Sequence, residues 1–83
     1  MTDSRYAHLS GDAARIARMV EAVERDEAHF AVLSTGEKLA VALVLDRHDL
    51  MQSERFRYTM LEAVDRLGEA WFAAALAVQK ART

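Results

Sequence analysis

LSTGEKLAVALVLDRHD, residues Leu33 to Asp49, admits two readings that lead to different folds. Ser34 followed three residues later by Glu37 has the form of a capping box, in which the Ser34 hydroxyl accepts from the Glu37 amide and the Glu37 carboxylate reaches back to the Ser34 amide. That pairing predicts a helix from Thr35 to about Arg47. In the rival reading, FAVL and LAVALVL are two strands joined by a STGEK turn, supported by the β-branched valines and by Gly36. A two-stranded ribbon is marginal alone and nothing else in the chain supplies a third strand, so the helix is preferred.

On the C-terminal side, DRHDLMQSERFR reads as a loop or a loose helical turn. A second capping box, Thr59 with Glu62 in YTMLEAVDRLG, then starts a short helix from Met60 to Leu67 that Gly68 closes in a left-handed conformation. A last helix follows from Glu69 to about Ala81. On the N-terminal side, Ser10 is the N-cap for a first helix from Gly11 to His29, whose apolar positions Ala13, Ile16, Val20, Val23 and Phe30 recur at three and four. Glu27 breaks that seam. Arg15, Arg18, Glu21, Glu24 and Arg25 form the opposite, mixed-sign face, which is a solvated one.

Composition agrees with helices throughout: 16 alanines, 3 glycines and no proline. The expected fold is all-α, a small bundle of about four helices (11–29, 35–47, 60–67 and 69–81) in a single domain, 1–83, with residues 1–10 as a flexible N-terminal arm. Without cysteine, disulfides and thiolate metal sites are excluded. A formal charge of −2 gives no global attraction to nucleic acid or anionic lipid. With no apolar leader and no run as long as a membrane span, the expectation is a cytoplasmic protein without membrane contact.

Two segments are apolar around most of the helix circumference: Leu39 to Leu45, seven residues in a row, and Ala70 to Val78, nine. A helix apolar all round is normally buried all round. Four helices of this size can surround one such segment but hardly two, which predicts a homo-oligomer, a two-fold dimer with 39–45 or 70–78 at its seam.

The blocks HFAVLSTGEKLAVALVLDRHDLM and TMLEAVDRLGEAWFAAALAVQ resemble an uncharacterised family of short proteobacterial proteins, often carried on plasmids or integrated elements. The shared pattern is S-T-G-E, an apolar helix ending in [DN]-R, a variable loop, and T-M-L-E-x-[VI]-x-R-L-G-x-x-W. The resemblance spans roughly Ala28 to Gln79 and implies no activity. Glu69 stands where the pattern has proline, which leaves the start of the final helix less sharply fixed.

Asp26-Glu27-Ala28-His29 spells a helicase ATPase motif, but no G-x-x-x-x-G-K-[ST] loop precedes it, and MVEAVER before it is helical rather than a strand. His29 and His48 have acidic neighbours, yet no two histidines stand at the i, i+4 spacing of a zinc helix, so no metal and no cofactor is expected. No serine sits in a G-x-S-x-G elbow. Glu27 as a buried seam acid would have a raised pKa, but such a residue more often lies at the stripe's edge or meets an arginine such as Arg47 or Arg66. Met60 to Gln79 has the outline of a helix-turn-helix, but its second helix presents WFAAALAVQ where a groove-reading helix needs polar and basic side chains. Trp71 and Phe72 read as core anchors, or else as a hot spot for a partner.

The leading expectation is therefore a non-enzyme: an adaptor, inhibitor or regulator that binds another macromolecule. Its partner-facing edge is the charged cluster Asp46, Arg47, Asp49, Arg55 and Arg57. The alternative is a nucleic-acid-binding module using Arg55, Phe56, Arg57 and Tyr58, whose alternating cations and rings suit stacking on single strands.

Overall fold

Ser34 and Glu37 pair as their spacing requires: the Glu37 amide donates to Ser34 Oγ at 3.3 Å and the Ser34 amide donates to Glu37 Oε1 at 2.8 Å. The same reciprocal pair starts the last helix, with the Glu62 amide on Thr59 Oγ1 at 3.1 Å and the Thr59 amide on Glu62 Oε1 at 3.0 Å. Each box occupies two of the amides that a helix start leaves without partners. In a computed structural model, which describes residues 4–53 and 56–82, the chain is all-α. Its helices are α1 (Gly11–Arg25), α2 (Thr35–Leu45) and α3 (Met60–Arg82). Short 3-10 turns at Ser4–Tyr6, Glu27–Val32 and His48–Met51 join or precede them.

Gly68 divides α3. Its φ of 80° and ψ of 169° are non-helical, so 60–67 and 69–82 are two arms meeting at a kink, which makes four α-helical segments among the described residues. The expected left-handed closure is half right. The φ is positive, but the extended ψ places Gly68 in a region that glycine alone populates, not in the αL well.

Helix ends depart from the sequence reading. α1 stops at Arg25 rather than His29 because Asp26 turns extended (φ −155°, ψ 111°) and its carboxylate accepts from the Ala28 amide at 3.0 Å. A short acid that bonds its own backbone competes with helix continuation. The DEAH letters thus mark a helix end followed by a 3-10 turn, and Phe30 reaches the core from that turn. The Ser10 hydroxyl makes no capping bond, although Ser10 does precede the helix. FAVL lies in the 3-10 turn and its connection, and no strand occurs among the described residues beyond an isolated Gln52–Arg57 bridge.

α2 is the axis of the molecule. Leu39, Ala40, Val41 and Ala42 are fully buried and Val44 nearly so, at roughly 1.5–3 kcal/mol for each large aliphatic side chain removed from water. Ala40, Val41 and Val44 face one cluster, built with Ile16, Val20 and Val23 of α1 and Val78 of α3. Leu39 and Ala42 face another, with Met51, Phe56 and Ala63. Gln79 of α3 donates to the Leu43 and Val44 carbonyls at 3.3 and 3.4 Å, tying two end carbonyls of α2 to the neighbouring helix.

In the described part of the N-terminal arm Tyr6 is buried, and Arg82 donates to its hydroxyl at 3.2 Å while bridging to Glu24 at 2.9 Å. The whole exposes 5243 Å², close to the ~5000 Å² expected of a monomer with this mass. One chain is enough to bury most of the apolar run of α2. It does not enclose the second apolar segment: Phe72 is 39% exposed and Leu76 38%.

Candidate functional site

The charged edge begins where α2 ends. Asp46, in the left-handed region (φ 54°, ψ 40°), donates its amide to Leu43 O at 3.1 Å, and the Arg47 amide donates to Ala42 O at 3.0 Å. These two bonds make a Schellman motif with an aspartate where glycine is usual, and they end the helix two residues short of Arg47. They also aim the Arg47 side chain. Its guanidinium donates through Nε and Nη2 to the two oxygens of Asp49, at 3.2 and 2.7 Å, and through Nη1 to Glu27 Oε1 at 2.6 Å.

Asp49 first and Glu27 second stabilise the charged guanidinium and raise the pKa of Arg47 further, while Arg47 holds the Asp49 carboxyl below the usual carboxylate range. Glu27 is an exposed acid on an arginine, not a buried seam acid in a pocket. Of the expected edge, the structure brings Asp46, Arg47 and Asp49 together and adds Glu27. Arg57 is exposed on the connection beyond, and Arg55 lies outside the described residues.

The aromatic residues of the same connection are differently placed from what the nucleic-acid alternative requires. Phe56 is only 8% exposed, edge-on to Phe30 with ring centres 6.2 Å apart and tilted against Tyr58 at 5.2 Å. Lys38 Nζ lies 5.3 Å from the centre of the Phe56 ring and 5.8 Å from that of Phe30, within cation–π range. The ring that would stack on a base is thus a plug for the end of the bundle. The Lys38 contact had a sequence signal only in hindsight, since Phe30, Lys38 and Phe56 come from three segments.

A third feature lies on the segment that the apolar pattern offered as a hot spot or seam. Between the last turns of α2 and the two arms of α3 runs an open groove of about 230 Å³, lined chiefly by Leu43, Met60, Phe72, Ala75 and Leu76, with Asp46 and Gln79 at its edge. Trp71 is half buried against the core with the Arg15 guanidinium 5.7 Å from its ring centre, so of the two expected anchors it alone packs inward. Phe72 turns to the groove.

Among the described residues no group of three His, Asp or Glu is placed to hold a metal ion, and every buried side-chain nitrogen and oxygen has a partner. No helix among them is long and apolar enough to cross a membrane. Comparison of the chain with protein-family models, with curated proteins and with solved structures returned no match.

Proposed function

We propose that this chain works without catalysis, by binding another macromolecule as an adaptor, inhibitor or regulator, and that it does so as a homodimer in the cytoplasm. The observation that supports this reading is the apolar groove at Leu43, Met60, Phe72 and Leu76. Large apolar side chains exposed together along a groove, with polar residues at the rim, have the make-up of an interaction surface. The Glu27–Arg47–Asp49 cluster and Arg57 would form the polar rim toward a protein partner. A link to mobile-element biology belongs to the same proposal and rests on the resemblance of 28–79 alone.

The test is recovery of the tagged chain from lysate of its host, with and without nuclease, beside a Phe72→Glu variant. A protein retained by the wild type after nuclease and lost by the variant supports the reading. Loss of all co-purifying material on nuclease treatment would replace it with nucleic-acid binding through Arg57 and its neighbours. Binding to phosphates should also fall steeply with added salt, which an apolar protein interface should not.

A further inference from the structure

The outer face of the 69–82 arm is complementary to itself. At 3.6 residues per turn, Glu69, Phe72, Ala73, Leu76 and Lys80 fall within about 60° of one line along the helix, and all five are at least partly exposed to solvent. The face therefore reads acid, large, small, large, base from one end to the other. Phe72, Ala75, Leu76 and Gln79 carry it round to the groove on one flank.

We infer that the occupant of this face is a second copy of the chain, docked antiparallel about a two-fold axis that crosses the arm between Ala74 and Ala75. The inference rests on the proposed self-association and names its seam: 69–82, not the mostly buried 39–45. Such an axis places Glu69 opposite the partner subunit's Lys80, and Lys80 opposite the partner's Glu69. Leu76 comes over the gap at the partner's Ala73, the large-into-small fit that lets helices approach closely. A two-fold axis of this kind keeps each flank on its own side. The groove flank of one copy therefore meets that of the other, and each Phe72 is carried about one and a half turns along, between Leu76 and Gln79 of its mate.

Charge supports the antiparallel direction independently of the apolar fit. Parallel docking would set Glu69 beside Glu69 and Lys80 beside Lys80, whereas the antiparallel pair sets opposite signs together at both ends. Lys80 also has an interaction within its own chain, so the intermolecular contact is additional to that one. A single helical arm with its flanking groove is a small seam by the standards of stable complexes, so the dimer is a weak one that forms at high concentration.

Sedimentation equilibrium from about 1 μM to about 1 mM, spanning the range of weak complexes, tests the inference on the full chain. The wild type should shift from monomer to dimer across it. Leu76→Glu should remain monomeric with an unchanged helical spectrum and a cooperative melt, since Leu76 is already 38% exposed. Glu69→Lys alone and Lys80→Glu alone should each weaken association roughly tenfold, and the double exchange should restore it, because only this register returns opposite charges to both ends. A wild type that stays monomeric at the highest concentration would overturn both the dimer and this seam, leaving the groove for an amphipathic helix of another protein. A dimer indifferent to Leu76→Glu, or one not restored by the double exchange, would overturn the seam while leaving self-association standing.

Discussion

Asp46→Gly should make the protein more stable, even though it deletes a charged surface side chain. Asp46 holds the left-handed cap of α2 at φ 54°, and its carboxylate stands at the helix end that carries the negative pole of the backbone dipoles. A residue with a Cβ in the left-handed region costs roughly 1–2 kcal/mol, at the low end for aspartate. A carboxylate in the last turn adds about 0.3–1 kcal/mol of repulsion. Glycine gives back roughly 0.5–1 kcal/mol through its greater freedom in the unfolded chain.

The balance is a gain near 1 kcal/mol, which for a domain of this size raises the melting temperature by about 4–8 °C. Asp46→Asn, which removes the charge and keeps the Cβ, should gain about half as much. Thermal and urea unfolding followed by circular dichroism at neutral pH would measure both. A glycine variant less stable than the wild type would refute the reasoning, and an asparagine variant equal to the glycine one would show that charge alone is at work. If the glycine variant is also deficient in partner capture, Asp46 is kept at a cost in stability for its place at the groove's edge.

Gly36→Ala and Gly68→Ala should have opposite signs, although nothing lies within 4 Å of the added Cβ in either case. Gly36 is in the first turn of α2, where alanine gains about 0.5–1 kcal/mol, whereas Gly68 would be forced into glycine-only backbone at a cost of order 1–3 kcal/mol; urea midpoints of the two variants decide. Glu37 and Glu62 are held below the usual glutamate range, first by the amides of Ser34 and Thr59. Their depressed folded pKa values contribute stability that is present above the unfolded pKa of about 4.3 and lost as pH falls through the folded values. Unfolding midpoints measured from neutral pH to about 3 should therefore drop, and the drop should be shallower in a Glu37→Gln, Glu62→Gln variant; equal slopes would remove the boxes as its cause. Met51→Ala, at a fully buried site, should cost about 2–5 kcal/mol, a large share of the stability of so small a domain, and a loss of less than a quarter of that free energy in urea unfolding would place Met51 outside the core.

The starts of α2 and of α3 were readable because each is written in a local pair, Ser34 with Glu37 and Thr59 with Glu62. The ends of α1 and α2 were not. α1 ends on an aspartate that turns its carboxylate on its own backbone, and α2 ends on an aspartate in a conformation usually announced by glycine. The aromatic residues exchanged the roles that their neighbours suggested. Phe56, among charges, is buried because the connection folds it onto Phe30 and α2; Phe72, in the most apolar run of the chain, is exposed because that run is apolar on every side and α1 and α2 cover only part of it. Hydrophobic periodicity cannot say which side of such a helix stays open. The groove joins α2 to two arms of α3, and the Arg47 cluster joins Glu27 to Asp49 across a helix, so both depend on the fold as a whole.

The contact of Arg82 with Tyr6 sets the last turn of α3 beside the Ser4–Tyr6 turn. A linker joining those two turns and a fresh opening in the connection from α2 to α3 would reorder the helices as α3, α1, α2 without cutting one. Thr59 and Glu62 would then start the first helix of the permuted chain instead of the last.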